Sequence, residues 1–91
     1  MVELTAIPRI DPQVAARLLE DRAIVVLADA GEVLVLNPNG AWIWSQIDGR
    51  CTVGELAGRL GAAWTLDPAH AQGDTLSFMV SLAEAGAIVL V

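Results

Sequence analysis

The sequence has no lysine and no tyrosine, and it has one histidine, one cysteine and one phenylalanine. Each scarcity excludes a class of protein. A single cysteine cannot close an internal disulfide, which points to a cytoplasmic protein. One cysteine, one histidine and scattered carboxylates fall short of the three or four ligands a metal centre takes, so no metal or cofactor is expected. The five cations are all arginine (Arg9, Arg17, Arg22, Arg50 and Arg59), and with eleven acids they leave a net charge of −6. That balance opposes nucleic-acid binding, whose affinity comes largely from neutralising phosphates. It also keeps an apolar domain soluble. The longest uncharged run near the predicted sheet, residues 23–28, is far shorter than the roughly 20 residues that span a bilayer. Glu3 near the N-terminus, with no basic cluster ahead of an apolar run, argues against a signal peptide. No membrane partner is expected.

Nucleophilic chemistry is equally poorly supplied. Cys51 stands just before a predicted helix, where a thiol pKa can be lowered, and His70 is the one available base. The two fall on different predicted helices, and Cys51 already has a packing role there. His70 sits in a first helical turn, a poor place for a cation and a common place for a surface residue. Gly54, Gly58 and Gly61 lie within or at the end of a helical pattern and make no phosphate loop. The chain is expected not to be an enzyme.

What is present is apolar surface, 55% hydrophobic residues against 18% charged, which excludes a disordered chain. Ninety-one residues make one domain that buries on the order of 60% of its unfolded surface. Its organising stretch is Glu32–Leu36 followed by Asn37-Pro38. The first part is β-branched or aliphatic after Glu32 and reads as a strand. Asn37 is a favoured N-cap, and Pro38 at the first helical position loses no hydrogen bond. Upstream, residues 23–28 read as a strand joined to 32–36 by Asp29-Ala30-Gly31, a hairpin. Residues 14–19 fit a short helix or a strand; the polar Glu20-Asp21-Arg22 that follows favours the strand. Residues 1–13 read as an irregular lead-in, broken by Pro8 and Asp11-Pro12. Both faces of the hairpin are apolar, so something outside this chain is expected to cover part of the sheet.

Downstream, helices are expected at about 38–48, 53–63 and 68–85. The first carries Trp42, Ile43, Trp44 and Ile47, with either one tryptophan in the core and one facing a partner, or both structural. Thr52-Val53-Gly54-Glu55 is a capping box, with Cys51 and Leu56 as its hydrophobic staple. Val53, Leu56, Ala57 and Leu60 share one helical face. Asp67-Pro68 repeats the cap-then-proline signature. The third helix carries Ala71, Thr75, Phe78, Leu82 and Ala85 as one stripe, widened by Leu76, Met79 and Val80, and ends at Gly86. Residues 87–91 read as a strand-like apolar tail, a candidate to pair with the edge of a neighbouring molecule and give a homodimer.

Leu36-Asn37-Pro38, Ala41, Ile43-Trp44, Ile47-Asp48-Gly49, Thr52-Val53, Glu55-Leu56, Leu60, Asp74, Phe78, Leu82 and Gly86-Ala87-Ile88 occur in that order. Over about residues 14–90 this pattern resembles the pyrroloquinoline-quinone biosynthesis protein D (PqqD) family, small recognition elements for ribosomally made, modified peptides. The resemblance implies an α+β, winged-helix-like fold, a three-stranded antiparallel sheet followed by three helices. It implies a non-catalytic adaptor that binds the leader segment of a precursor peptide as an added strand and hands it to a modifying enzyme, such as a radical S-adenosylmethionine protein or a leader peptidase. On this chain the docking strand is Glu32, Val33, Leu34, Val35 and Leu36. The facing helix contributes Gly73, Leu76, Met79 and Val80, although core packing is an open alternative for Leu76 and Met79. Two other classes remain in view. A winged-helix nucleic-acid binder would need basic residues on the last helix, which has none. A plain dimerisation module would need only the apolar edge.

Overall fold

The computed structural model describes residues 2–27 and 31–91. Three strands, β2 (Val14–Leu19), β3 (Arg22–Leu27) and β4 (Glu32–Leu36), form an antiparallel sheet in the order β2-β3-β4. The polar pair Glu20-Asp21 closes the first hairpin, and Leu19 stands opposite Arg22. The second hairpin sets Ala23 opposite Leu36 and Leu27 opposite Glu32. Of its connection, Ala28, Asp29 and Ala30 lie outside the described residues.

Period-two alternation gives this sheet two different faces. Ala23, Val25, Leu27 and Leu36 point into the core and are buried. Val26, Val33 and Val35 point outward and are exposed. Three helices cover the inner face: α1 (Pro38–Gln46), α2 (Val53–Trp64) and α3 (Pro68–Ala85). Each start has its own cap. Asn37 Oδ1 accepts from the Gly40 N–H at 2.8 Å. Thr52 and Glu55 satisfy one another's backbone donors at 3.1 and 3.0 Å. Asp67 accepts from the amides of Ala69 and His70. These side chains pair backbone donors that a helix leaves without internal partners.

α2 continues through Gly61 to Trp64 and ends on Thr65, whose backbone is left-handed (φ 54). Gly61 lies within the helix and faces α3, where a Cβ would make an ordinary contact 3.5 Å from Ala71 Cβ. The core is built from Val53, Leu56 and Leu60 of α2, Ala71, Met79 and Leu82 of α3, and Ile43 and Trp44 of α1.

The expected irregular lead-in contains a strand, β1 (Pro8–Ile10), paired antiparallel with β5 (Ile88–Leu90) at the other end of the chain. Pro8 is tolerated as the first residue of this short strand. The lead-in also caps α2 from outside: the amides of Val53 and Gly54 donate to the carbonyls of Ala6 and Leu4, at 2.9 and 2.8 Å. Gly54 permits this approach, since a Cβ would stand 3.3 Å from the Leu4 carbonyl. The apolar tail is therefore paired within its own chain and is not a loose strand for a neighbour. Ile7 and Val91 exchange both backbone hydrogen bonds, and Asp11 N–H donates to Ala87 O. The left-handed Gly86 (φ 81) makes the return possible.

Ile88, 4% exposed, anchors this closure. Ile88→Ala should cost about 2–5 kcal/mol, the range for emptying a buried isoleucine site. Urea denaturation measures it, and a loss below 1 kcal/mol would mean that the β1–β5 ribbon is not part of the core.

Candidate functional site

Among the described residues β4 is an edge strand, bonded to β3 on one side and unpaired on the other. An edge of this kind presents free backbone donors and acceptors. Its side chains split between the two faces. Leu36 is buried and Leu34 is half-buried against the core. Glu32 is exposed, and Val33 and Val35 are 58% and 64% exposed. Neither lysine nor proline blocks the strand.

Beyond the C-terminal end of β4 lies a cleft of about 270 Å³. Asn37, Asn39, Gly40 and Ile43 form one wall, Asp74, Ser77 and Phe78 of α3 the other, and Leu60 also lines it. The absence of a side chain at Gly40 shapes it, because a Cβ there would sit 3.2 Å from both Asn37 Oδ1 and the Phe78 ring. Thus the N-cap oxygen, the first turn of α1 and the Phe78 ring pack at one point. Asp74 also contacts His70 Nε2 at 3.1 Å, both side chains largely exposed.

The α3 residues singled out from sequence have mixed positions. Met79 is fully buried and serves the core. Leu76 is half-buried and packs against that core. Val80 is 38% exposed, and Gly73 is exposed with open space where a Cβ would stand. The cleft uses a different stripe of the helix, Asp74, Ser77 and Phe78. The spacing i, i+3, i+4 marks these three as one face. The only phenylalanine in the chain, standing next to a serine, was the available signal.

The outer sheet face is apolar with two cations. Across the strands, Ala15, Val26 and Val33 form one row, and Arg17, Ile24 and Val35 the next. Arg22 stands opposite Leu19 in the third. Among the described residues of the three strands no acidic one points to this face, in a chain of net charge −6.

Among the described residues no group of three or more His, Cys, Asp or Glu side chains could hold a metal ion. Cys51 is buried, and burial pushes its thiol pKa up, which disfavours the reactive thiolate. Its Sγ lies 3.6 Å from Asp48 Oδ2. Asp48 caps this turn by accepting from the amides of Arg50 and Cys51, at 2.8 and 2.9 Å. Those donors, Cys51 N–H foremost, hold its carboxyl below the usual carboxylate range. No helix among the described residues is long and apolar enough to cross a membrane.

These features define a small winged-helix-like α+β domain, with a three-stranded sheet, three helices behind it and an open strand edge beside a helical cleft. Residues 22–88 match the model of the family described as coenzyme PQQ synthesis protein D (PqqD), and the chain belongs to that family. No curated protein sequence matches it significantly. Two solved structures share its fold. The PqqD truncation of Methylobacterium extorquens PqqCD, a solution NMR structure described as a stand-alone recognition element for ribosomally synthesised and modified peptides, is 24% identical, with a TM-score of 0.81. That match covers 98% of this chain and 95% of the other. TbiB1 in complex with the TbiA(beta) leader peptide is 20% identical, with a TM-score of 0.81, covering 88% and 93%.

Because the lowered Asp48 pKa reflects donors to the charged form, its stabilisation is complete above the unfolded carboxylate value of about 3.9. It is lost as the pH falls through the lower folded value. Acid titration followed by circular dichroism should show stability falling in that window, and Asp48→Asn should flatten the fall; an unchanged acid limb in the variant contradicts the assignment. Cys51→Ser should cost modest stability and leave any peptide binding intact, and a specific activity lost on that change with the fold intact would show a catalytic thiol.

Proposed function

We propose that this chain is a non-catalytic peptide-binding adaptor. It takes the leader segment of a ribosomally made precursor peptide as an added strand on β4 and presents it to a modifying enzyme. The observation that carries the reading is the open β4 edge, with Val33 and Val35 exposed and the cleft of Asp74, Ser77 and Phe78 at its end. Family membership supports it, as does the likeness to a structure solved with a leader peptide. In strand addition, main-chain hydrogen bonds supply affinity and alternate side chains supply selectivity.

In this reading Glu32, Val33, Leu34 and Val35 form the docking edge, while Leu36 and Met79 hold it from within the core. Leu76, Val80 and Gly73 flank the approach along α3. Arg17 and Arg22 on the outer face meet carboxylates of the leader, since the chain as a whole repels an acidic peptide. The receiving enzyme is a radical S-adenosylmethionine protein or a leader peptidase, and the compartment is the cytoplasm. Without peptide the same edge pairs with a second copy, so a weak homodimer competes with the leader. Sedimentation should then show dimers that dissociate on peptide addition.

Titration of the precursor leader against ¹⁵N-labelled protein tests the site. Amide shifts should concentrate on residues 32–37 and 74–80. Val35→Pro should weaken binding at least tenfold, with Val33→Glu as a second edge variant where proline costs folding. Shifts confined to α2, with β4 unmoved, would rule out strand addition.

A further inference from the structure

On the opposite side of α1 from the leader cleft lies a second groove, of about 340 Å³. Pro38, Ala41 and Trp42 of α1 line it, with Trp64 at the end of α2 and residues 18–22 of the β2–β3 hairpin across from them. Trp42 and Trp64 meet edge to face, with ring centroids 5.0 Å apart and planes at 75°. Leu18 and Leu19 are 59% and 47% exposed, and Trp64 is 38% exposed. Of the residues lining this groove the leader-binding reading uses only Arg22; the leucines, the tryptophans and Glu20 have no part in it.

We propose that this groove docks a protein partner that inserts an arginine or lysine beside an apolar side chain, and that this partner is the modifying enzyme. Only the partner's identity rests on the adaptor reading; the chemistry of the groove does not. Two exposed leucines beside a half-open tryptophan pair make an apolar patch with a polar rim, the kind of surface that marks an interface. Tryptophan is also the side chain most often found carrying binding energy at such contacts. The rim selects charge. Among the described residues Glu20 has no ion pair, and Asp21 lies 3.9 Å from Arg22 with both side chains mostly exposed. Two carboxylates thus stand against one guanidinium. A long cationic side chain satisfies both parts at once, laying its aliphatic stem along the indoles and its charged head against the acids. A second copy of this chain fits less well, because it too carries a net charge of −6 and its approach is opposed.

The sheet order leaves room for two partners together. Leu18, Ala23 and Leu36 lie in one row across β2, β3 and β4. Strand spacing places Leu18 about 10 Å from Leu36. A leader strand on the free edge of β4 stands one strand further away, with the first turn of α1 between it and the groove.

The test uses the full chain, its precursor leader and the purified modifying enzyme encoded beside that precursor. Affinities for leader and enzyme are measured separately by calorimetry for the wild type, Glu20→Lys and Leu18→Asp, with circular dichroism melts to verify folding. Each variant should weaken enzyme binding tenfold or more and leave leader affinity within twofold. Added salt should weaken the wild type more than Glu20→Gln. Enzyme affinity unchanged in the folded variants overturns the proposal, as does a wild type that binds leader but not enzyme. A parallel loss of leader and enzyme binding would assign the groove to the leader site instead. Loss of self-association in Leu18→Asp, with enzyme binding unchanged, would make a second copy the occupant. A wild type that binds enzyme through the groove but no leader would refute the adaptor reading and leave the groove standing.

Discussion

The hydrogen bond from the Gly40 amide to Asn37 Oδ1, at 2.8 Å, fixes the point on which the rest of the structure depends. It ends β4 and starts α1 within two residues. Pro38 then enters the helix with no donor to satisfy. Because the turn is this tight, α1 crosses directly behind the sheet and places Ile43 and Trp44 on its inner face. The same turn brings Gly40 under the Phe78 ring. The strand edge, the α1 start and the α3 cleft are therefore held as one unit by a cap and a missing side chain.

The two faces of β4 are in different physical situations. Leu36 and Leu34 are anchored from within, so the strand keeps its place whether or not its edge is occupied. Val33 and Val35 leave apolar area in water, worth about 25 cal/mol for each Å² later covered. That area and the unpaired backbone form a reserve that another strand can draw on. The same reserve exposes the domain to self-pairing, because after Glu32 at its start β4 has no charged residue or proline to blunt the edge. Net charge of −6 acts against it at long range.

The sole cysteine and the sole histidine have separate places in the structure. The sole cysteine is spent on closing the α1–α2 turn, where burial raises its pKa and Asp48 occupies the neighbouring amides. The sole histidine sits on the exposed start of α3 beside Asp74. No helix or strand brings the two together. One polar group does sit in the core without a hydrogen bond: Thr75 Oγ1 is buried and unpaired among the described residues.

The sequence by itself determined the elements and their class. Asn37-Pro38, Thr52 with Glu55, Asp67-Pro68 and Gly86 are local signals, each acting through backbone groups within a few residues, so they can be read without knowing the fold. The three-stranded sheet followed by three helices follows from them and from the resemblance carried by the same residues. Tertiary structure decided what depends on distant partners. Pro8–Ile10 pairs with Ile88–Leu90 across nearly the whole chain; the tail is legible as a strand, but its partner is not, because three residues opened by a proline carry no pattern strong enough to announce a strand. On α3, apolar periodicity identified a helix but not which apolar residues would be covered. Met79 went wholly into the core, and Asp74, Ser77 and Phe78 came to line the cleft, because α2 packs along one side of α3 and the first turn of α1 reaches the other. Periodicity reports that a helix has faces; only its neighbours decide which face is left open.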